Sequence, residues 1–162
     1  MPLTPYTGPF GRPELIHLLR RSLFGVTPAD LAHFNGMTMA QVVDELLTFT
    51  NNTTPPIKTY FELDGGMNPD PSLVDPDVAF GDTWTTVPVD PMLAIDPTGY
   101  RLGSFKSWWM DNMIQQERNL REKMTLFWHN HMPTQGYVVF EAYSSYKMNQ
   151  LLRTNCLGNL RQ

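Results

Sequence analysis

One cysteine, Cys156, occurs in 162 residues, which excludes an internal disulfide. No run of about 18 apolar residues exists, so nothing in the chain reads as a membrane-spanning helix. The start, MPLTPYTGPFGRPE, lacks a basic stretch followed by an apolar one and does not read as a signal peptide. Positive charge is also short. Twelve Lys and Arg face sixteen Asp and Glu, a net charge of −4 with pI near 5.5, which argues against nucleic acid as the main partner. Residues 59–100 hold eight Asp or Glu and no Lys or Arg, whereas residues 101–162 hold eight Lys or Arg and four acids. That asymmetry points to internal pairing, or to an acidic loop covering a basic face.

What is present suits a folded core. Hydrophobic residues make up 41% of the chain, with four tryptophans and nine phenylalanines, and rings of this size bury large areas. The length is that of one ordinary domain. Pro13 and Glu14 open a first helix, with Leu15, Leu18, Leu19 and Leu23 at helical spacing before Gly25. Thr27-Pro28-Ala29-Asp30 has the form of an N-cap, a first-turn proline and a reciprocal acid. Gly36 closes that short helix. Thr38 and Gln41 then form a capping box ahead of Val42, Val43, Leu46 and Leu47. A helical group is therefore expected over residues 12–49.

Residues 50–100 contain eight of the fourteen prolines, with NNTTPP, DGG and NPDP as turn signals. A long Pro/Asp-rich loop of functional or covering character is expected there. Thr83 to Val89 is its one strand-like stretch, and Pro88 would confine that to an edge. A second helical group is expected over 103–162. Phe105, Trp108, Trp109 and Met113 form one apolar stripe, and Leu120, Met124, Phe127, Trp128 and His131 form another. A link at Glu117–Asn119, with Asn119 as N-cap, makes the two helices antiparallel neighbours, so Trp108, Trp109, Phe127 and Trp128 are expected in one cluster. A last helix runs from about Glu141 to Arg153. The fold class is mainly α, with short-to-medium helices in two groups. The segment after Gly158 opens as a helix would and then stops, so the expectation is a single helical domain or the N-terminal fragment of a larger one.

Several of these motifs together resemble a large bacterial family, domain of unknown function 1800. The matching pieces are His17-Leu18-Leu19-Arg20-Arg21 with Phe24-Gly25-Val26-Thr27-Pro28, then Leu120 to His131 (LREKMTLFWHNH). Asn149-Gln150-Leu151-Leu152-Arg153 and Leu157-Gly158-Asn159 follow in the family's order. Met132 departs from it, standing where an aromatic residue is usual. The resemblance implies a mostly helical fold, further helices beyond residue 162, export in bacteria, and no settled activity. It also implies a partner: the remaining C-terminal part of the family domain, or another protein.

The stretch FWHNHM carries the sharpest chemical question, because it holds two of the four histidines. On a helix, His129 and His131 project about 200° apart; on an extended segment they share a face and could chelate zinc or another divalent metal. Pro133 disfavours helical geometry at Met132, so both geometries stay open. Glu122 cannot complete a site with His129, since seven helical residues rise about 10.5 Å. A third ligand would come from His17, His33 or the acidic loop. The structural reading places His131 in the apolar stripe and His129 at the helix end, where a histidine is favourable, and with it no cofactor is expected.

Other candidates are weaker. His17, Arg20 and Arg21 form a basic patch opposite the leucines that could grip a carboxylate or phosphate. Ser144 to Lys147 and Tyr143 to Lys147 match short catalytic patterns without their partner motifs. Asp64, Asp70, Asp75 and Asp77 offer calcium-type ligands without EF-hand spacing. Cys156 has no activating neighbour in sequence and reads as a small buried residue. A structural or interaction module is the leading functional class, and metal-dependent hydrolysis through His129 and His131 is the alternative.

Overall fold

The computed structural model describes residues 4, 6–49 and 54–158, side chains at 136 and 137 excepted. The fold is mainly α. Helices α1 (Arg12–Ser22), α2 (Pro28–His33) and α3 (Met39–Leu47) come first. Their ends are set locally. The Glu14 carboxylate accepts from the Gly11 amide at 2.9 Å, closing the start of α1. Thr27 and Asp30 exchange reciprocal bonds of 3.2 and 2.9 Å, and Thr38 and Gln41 do the same at 3.3 and 2.8 Å. Gly36 takes φ of +81° between α2 and α3, a conformation that a side chain would strain. Leu15, Leu19, Leu23, Phe34, Val42 and Leu46 close one core between these helices. Leu47, expected in the buried stripe, is exposed.

The chain from 54 to 97 has no helix, yet it supplies core residues instead of merely covering a surface. Val74, Val78 and Trp84 are buried. Strands β1 (Glu62–Leu63) and β2 (Pro69–Asp70) form a small antiparallel hairpin. The strand expected at Thr83–Val89 reduces to one isolated bridge between Thr83 and Ile57. Lys58 organises the segment. Its Nζ donates to the carbonyls of Pro71, Val74, Asp75 and Val78 at 2.7, 2.6, 2.9 and 2.9 Å. Beside it the Asp75 carboxylate takes Arg101 Nε and Nη2 at 2.7 and 2.6 Å and the Tyr60 hydroxyl at 2.6 Å. The acidic middle and the basic C-terminal third therefore do pair internally, at the buried Asp75–Arg101 contact.

Helix α4 (Thr98–Ile114) starts five residues before the expected 103, where the Asp96 carboxylate accepts from the Thr98 amide at 2.9 Å. Helices α5 (Arg121–His131), α6 (Gly136–Val139) and α7 (Ala142–Thr154) follow. Leu120, not the expected Asn119, is the N-cap of α5, and Asn119 one residue earlier accepts from the Arg121 amide at 3.1 Å. Trp84, Leu102, Phe105, Trp109, Ala142 and Tyr146 form a second core with Val78. Cross-links join the two cores. The Leu120 amide donates to Leu46 O at 2.9 Å, and Lys123 Nζ donates to Arg20 O and Leu23 O at 3.2 and 2.8 Å. Lys123 thereby satisfies carbonyls at the C-terminal end of α1 that the helix itself leaves open.

Helix α5 packs the opposite way from its apolar stripe. Arg121, Glu122 and Thr125 are buried, whereas Phe127 is 50% exposed and His131 is exposed. The four rings expected in one cluster fall into two. Trp108 and Trp109 stack on Phe105, while Phe127 and His131 touch Trp128, which is half-buried with its Nε1 donating to Cys156 O at 2.9 Å. Facing α7 with its polar side is the reason: Arg153 there supplies the partner that burial of Glu122 demands.

Candidate functional site

Helical backbone runs through both histidines of FWHNHM and ends at His131, where the Met132 amide still donates to Trp128 O at 2.9 Å. Met132, just before Pro133, leaves the helical conformation with φ of −120° and ψ of 66°, as that proline disfavours helix there. The two rings consequently meet different neighbours. His129 lies edge-on to Trp109 with centroids 4.7 Å apart, and burial lowers its pKa below the free imidazole value. His131 stacks on Phe127 at 5.3 Å. His33, named as a third ligand, pairs with Glu45 at 2.6 Å, and His17 sits on α1. Among the described residues no set of three or more His, Cys, Asp or Glu is arranged to hold a metal ion.

His17, Arg20 and Arg21 are all exposed on α1. His17 and Arg21, one turn apart, line a groove with Phe10, Pro13, Leu18, Met39 and Val43, of about 510 Å³. Arg20 does not line it; its carbonyl instead holds Lys123. The structure thus brings two of the three basic residues to one cavity, and α3 supplies the opposite wall.

The sequence reading passed over the most unusual constellation. Between α5 and α7, Glu122 Oε1 accepts from Arg121 Nε at 3.1 Å and from Arg153 Nη2. All three side chains are buried, with Asn149 and Thr125 beside them at no exposure. The Arg153 guanidinium also lies over the Trp108 ring, 5.1 Å from its centroid. Burial lowers the Arg153 pKa, and the Glu122 charge offsets only part of that. Glu122 Oε2, both amide atoms of Asn149, and Arg153 Nε and Nη1 have no hydrogen-bond partner among the described residues. A cluster so far from full satisfaction is energetically expensive, since each orphaned buried group forfeits its hydration. The available signal was weak: Asn149 and Arg153 are four apart on α7, and Arg121, Glu122 and Thr125 span one turn of α5, so each set shares a face.

The remaining candidates resolve into local structure. Asp64 accepts from the amides of Gly66 and Asn68, and Asp70 from Ser72, so these carboxylates close their own turns. Asp75 is committed to Arg101. Ser145 Oγ donates to Glu141 O, and Tyr146 is a core residue. Lys147 lies over the Tyr143 ring. Cys156 is buried, and burial pushes its thiol pKa up, away from reactive thiolate.

A family model described as protein of unknown function (DUF1800) matches residues 17–162. No curated protein and no solved structure matches the chain.

Proposed function

The chain belongs to the DUF1800 family, and we propose that it serves as a structural or interaction module of a larger protein, docking a helical protein surface on the outer side of α5 to α7. One observation carries this reading. Helix α5 turns its charged side inward and leaves Phe127 half-exposed, with Val138, Val139, Phe140, Tyr143, Leu151 and Leu157 also open to solvent in the segment that follows. Large apolar side chains exposed in such number within one stretch mark an interaction surface more often than chance. The occupant is inferred to be protein because aromatic residues are plentiful here and charge is sparse, the composition of an interface core. The remaining C-terminal part of the family domain, or another protein, is the partner that fits. Of the leucines at this end of the chain, Leu152 is buried and adds nothing to that surface, and Leu160 lies outside the described residues.

The test is self-association of the purified chain. A module lacking its partner should bind anilinonaphthalenesulfonate and sediment as a concentration-dependent oligomer. Phe127→Asp with Leu151→Asp should abolish both without lowering the melting temperature, because neither side chain is buried. A monodisperse monomer without dye binding, or an oligomer indifferent to the double substitution, contradicts the proposal.

A further inference from the structure

The groove between α1 and α3 combines an apolar floor with a cationic end, and nothing described above uses it. Its walls are Phe10, Leu18, Met39 and Val43, and its volume of about 510 Å³ lies within the range of small-molecule sites, roughly 300–1,000 Å³. His17 and Arg21 stand one helical turn apart on the same side of α1 and both reach it. Glu14, the acid in the groove wall, is turned to the Gly11 amide at the start of the helix. Seven residues separate it from Arg21, about 10.5 Å along the axis. The groove is therefore polarised, with its carboxylate engaged at one end and its guanidinium at the other.

Charge supports an anion here despite the net charge of −4. Helix α1 carries Arg12, Arg20 and Arg21 against Glu14 alone, and Lys123 is held against its last turn by the Arg20 and Leu23 carbonyls. Helix α3 carries Asp44 and Glu45, neither of which lines the groove, and Glu45 is paired with His33, so the cationic end belongs to α1. A guanidinium presents two parallel donors that match a carboxylate, and such charge-assisted bonds are the strong ones.

We propose that this groove binds an amphipathic monocarboxylate, its tail on Phe10, Leu18, Met39 and Val43 and its head on Arg21 and His17. The apolar area contributes affinity, and the Arg21 contact sets orientation and selects charge. A single small amphiphile is the occupant, because the cavity is closed on two sides by α1 and α3. This site shares no residue with the α5–α7 surface, so either reading can fail alone.

Decanoate is the probe, titrated calorimetrically into the whole chain below its micellar concentration. The expected result is saturable one-to-one binding, with decanol weaker by about tenfold or more through loss of the charged contact. Arg21→Gln should weaken decanoate by a similar factor and leave decanol unchanged. Met39→Trp fills the groove and should abolish binding of both, with the circular dichroism spectrum retained to show the fold intact. Equal affinity for decanol and decanoate would overturn the proposal, as would binding that survives Met39→Trp. So would a chain that ignores monomeric decanoate and binds only anionic phosphatidylglycerol vesicles.

Discussion

Replacing Lys58 by methionine removes one charge and leaves the side chain nearly the same length. The consequence can be worked from the four carbonyls around it. Lys58 is 1% exposed, and its ammonium has three protons for acceptors at 2.6–2.9 Å on Pro71, Val74, Asp75 and Val78. Hydrogen bonds to a charged group contribute about 1.5–3 kcal/mol each, and a buried acceptor left alone costs about 1–3 kcal/mol. Against these stands the desolvation of the ammonium, several kcal/mol, which methionine avoids. The balance favours lysine by roughly 3–5 kcal/mol, the scale of breaking a buried ionic contact. Urea denaturation should show the unfolding free energy falling by that amount, through a lower midpoint at unchanged slope. Near-ultraviolet dichroism should change too, because Trp84 is buried in the same segment. A loss below about 1 kcal/mol would refute the reasoning, since it falls in the range of surface substitutions; the carbonyls would then be hydrated and the segment held by its apolar side chains alone.

The α5–α7 cluster makes a prediction of opposite signs. Glu122→Gln removes the charge paired with the buried Arg153 guanidinium and should destabilise by about 3–5 kcal/mol, whereas Glu122→Met with Arg153→Met should recover most of that loss; a double variant as unstable as the single one would contradict it. Asp75 governs acid stability. Burial alone would raise its pKa, but the Arg101 and Tyr60 hydrogen bonds outweigh burial and hold it below 3.8. A depressed carboxylate contributes stability that is complete above its unfolded pKa and lost as pH falls through the folded one. Asp75→Asn should therefore flatten the loss of stability below about pH 4, and an unchanged slope in equilibrium unfolding would assign it to other carboxylates.

Local chemistry was legible in the sequence where it is decided locally. The capping pairs Thr27/Asp30 and Thr38/Gln41 involve residues three apart, so the ends of α2 and α3 follow from sequence order alone. The first core was equally accessible, because Leu15, Leu19 and Leu23 repeat at the helical period and no neighbour competes for the opposite face. Residues 54–97 were opaque for the reverse reason. Their order depends on one ammonium and four carbonyls, and carbonyls carry no sequence signal. Placement of His17 and Arg21 on one side of α1 could be read from their spacing of four. The cavity beside them could not, since Met39 and Val43 arrive from a different helix.

Helix α5 shows how a correct period can still assign the wrong side. Its eleven residues contain both an apolar row and a polar row, and periodicity fixes that they are separate without fixing which one faces inward. The choice belongs to α7. Asn149 and Arg153 are buried on that helix, and a buried guanidinium demands a carboxylate far more strongly than an exposed phenylalanine demands cover. Leaving Phe127 half-exposed forgoes only part of the about 1.5–3 kcal/mol of full burial, whereas removing one partner of a buried ionic contact costs about 3–5 kcal/mol. The polar row therefore wins the interior, and the aromatic row is displaced outward with His131 stacked on it. The same inversion settles the histidines. Because α5 stays helical to His131 and turns Glu122 toward Arg153, His129 is delivered to the edge of Trp109 in the core, while His131 is left on the surface available to a partner. The charged interior and the exposed Phe127 and His131 of α5 are thus one feature, and the ionic cluster behind the helix is its cause.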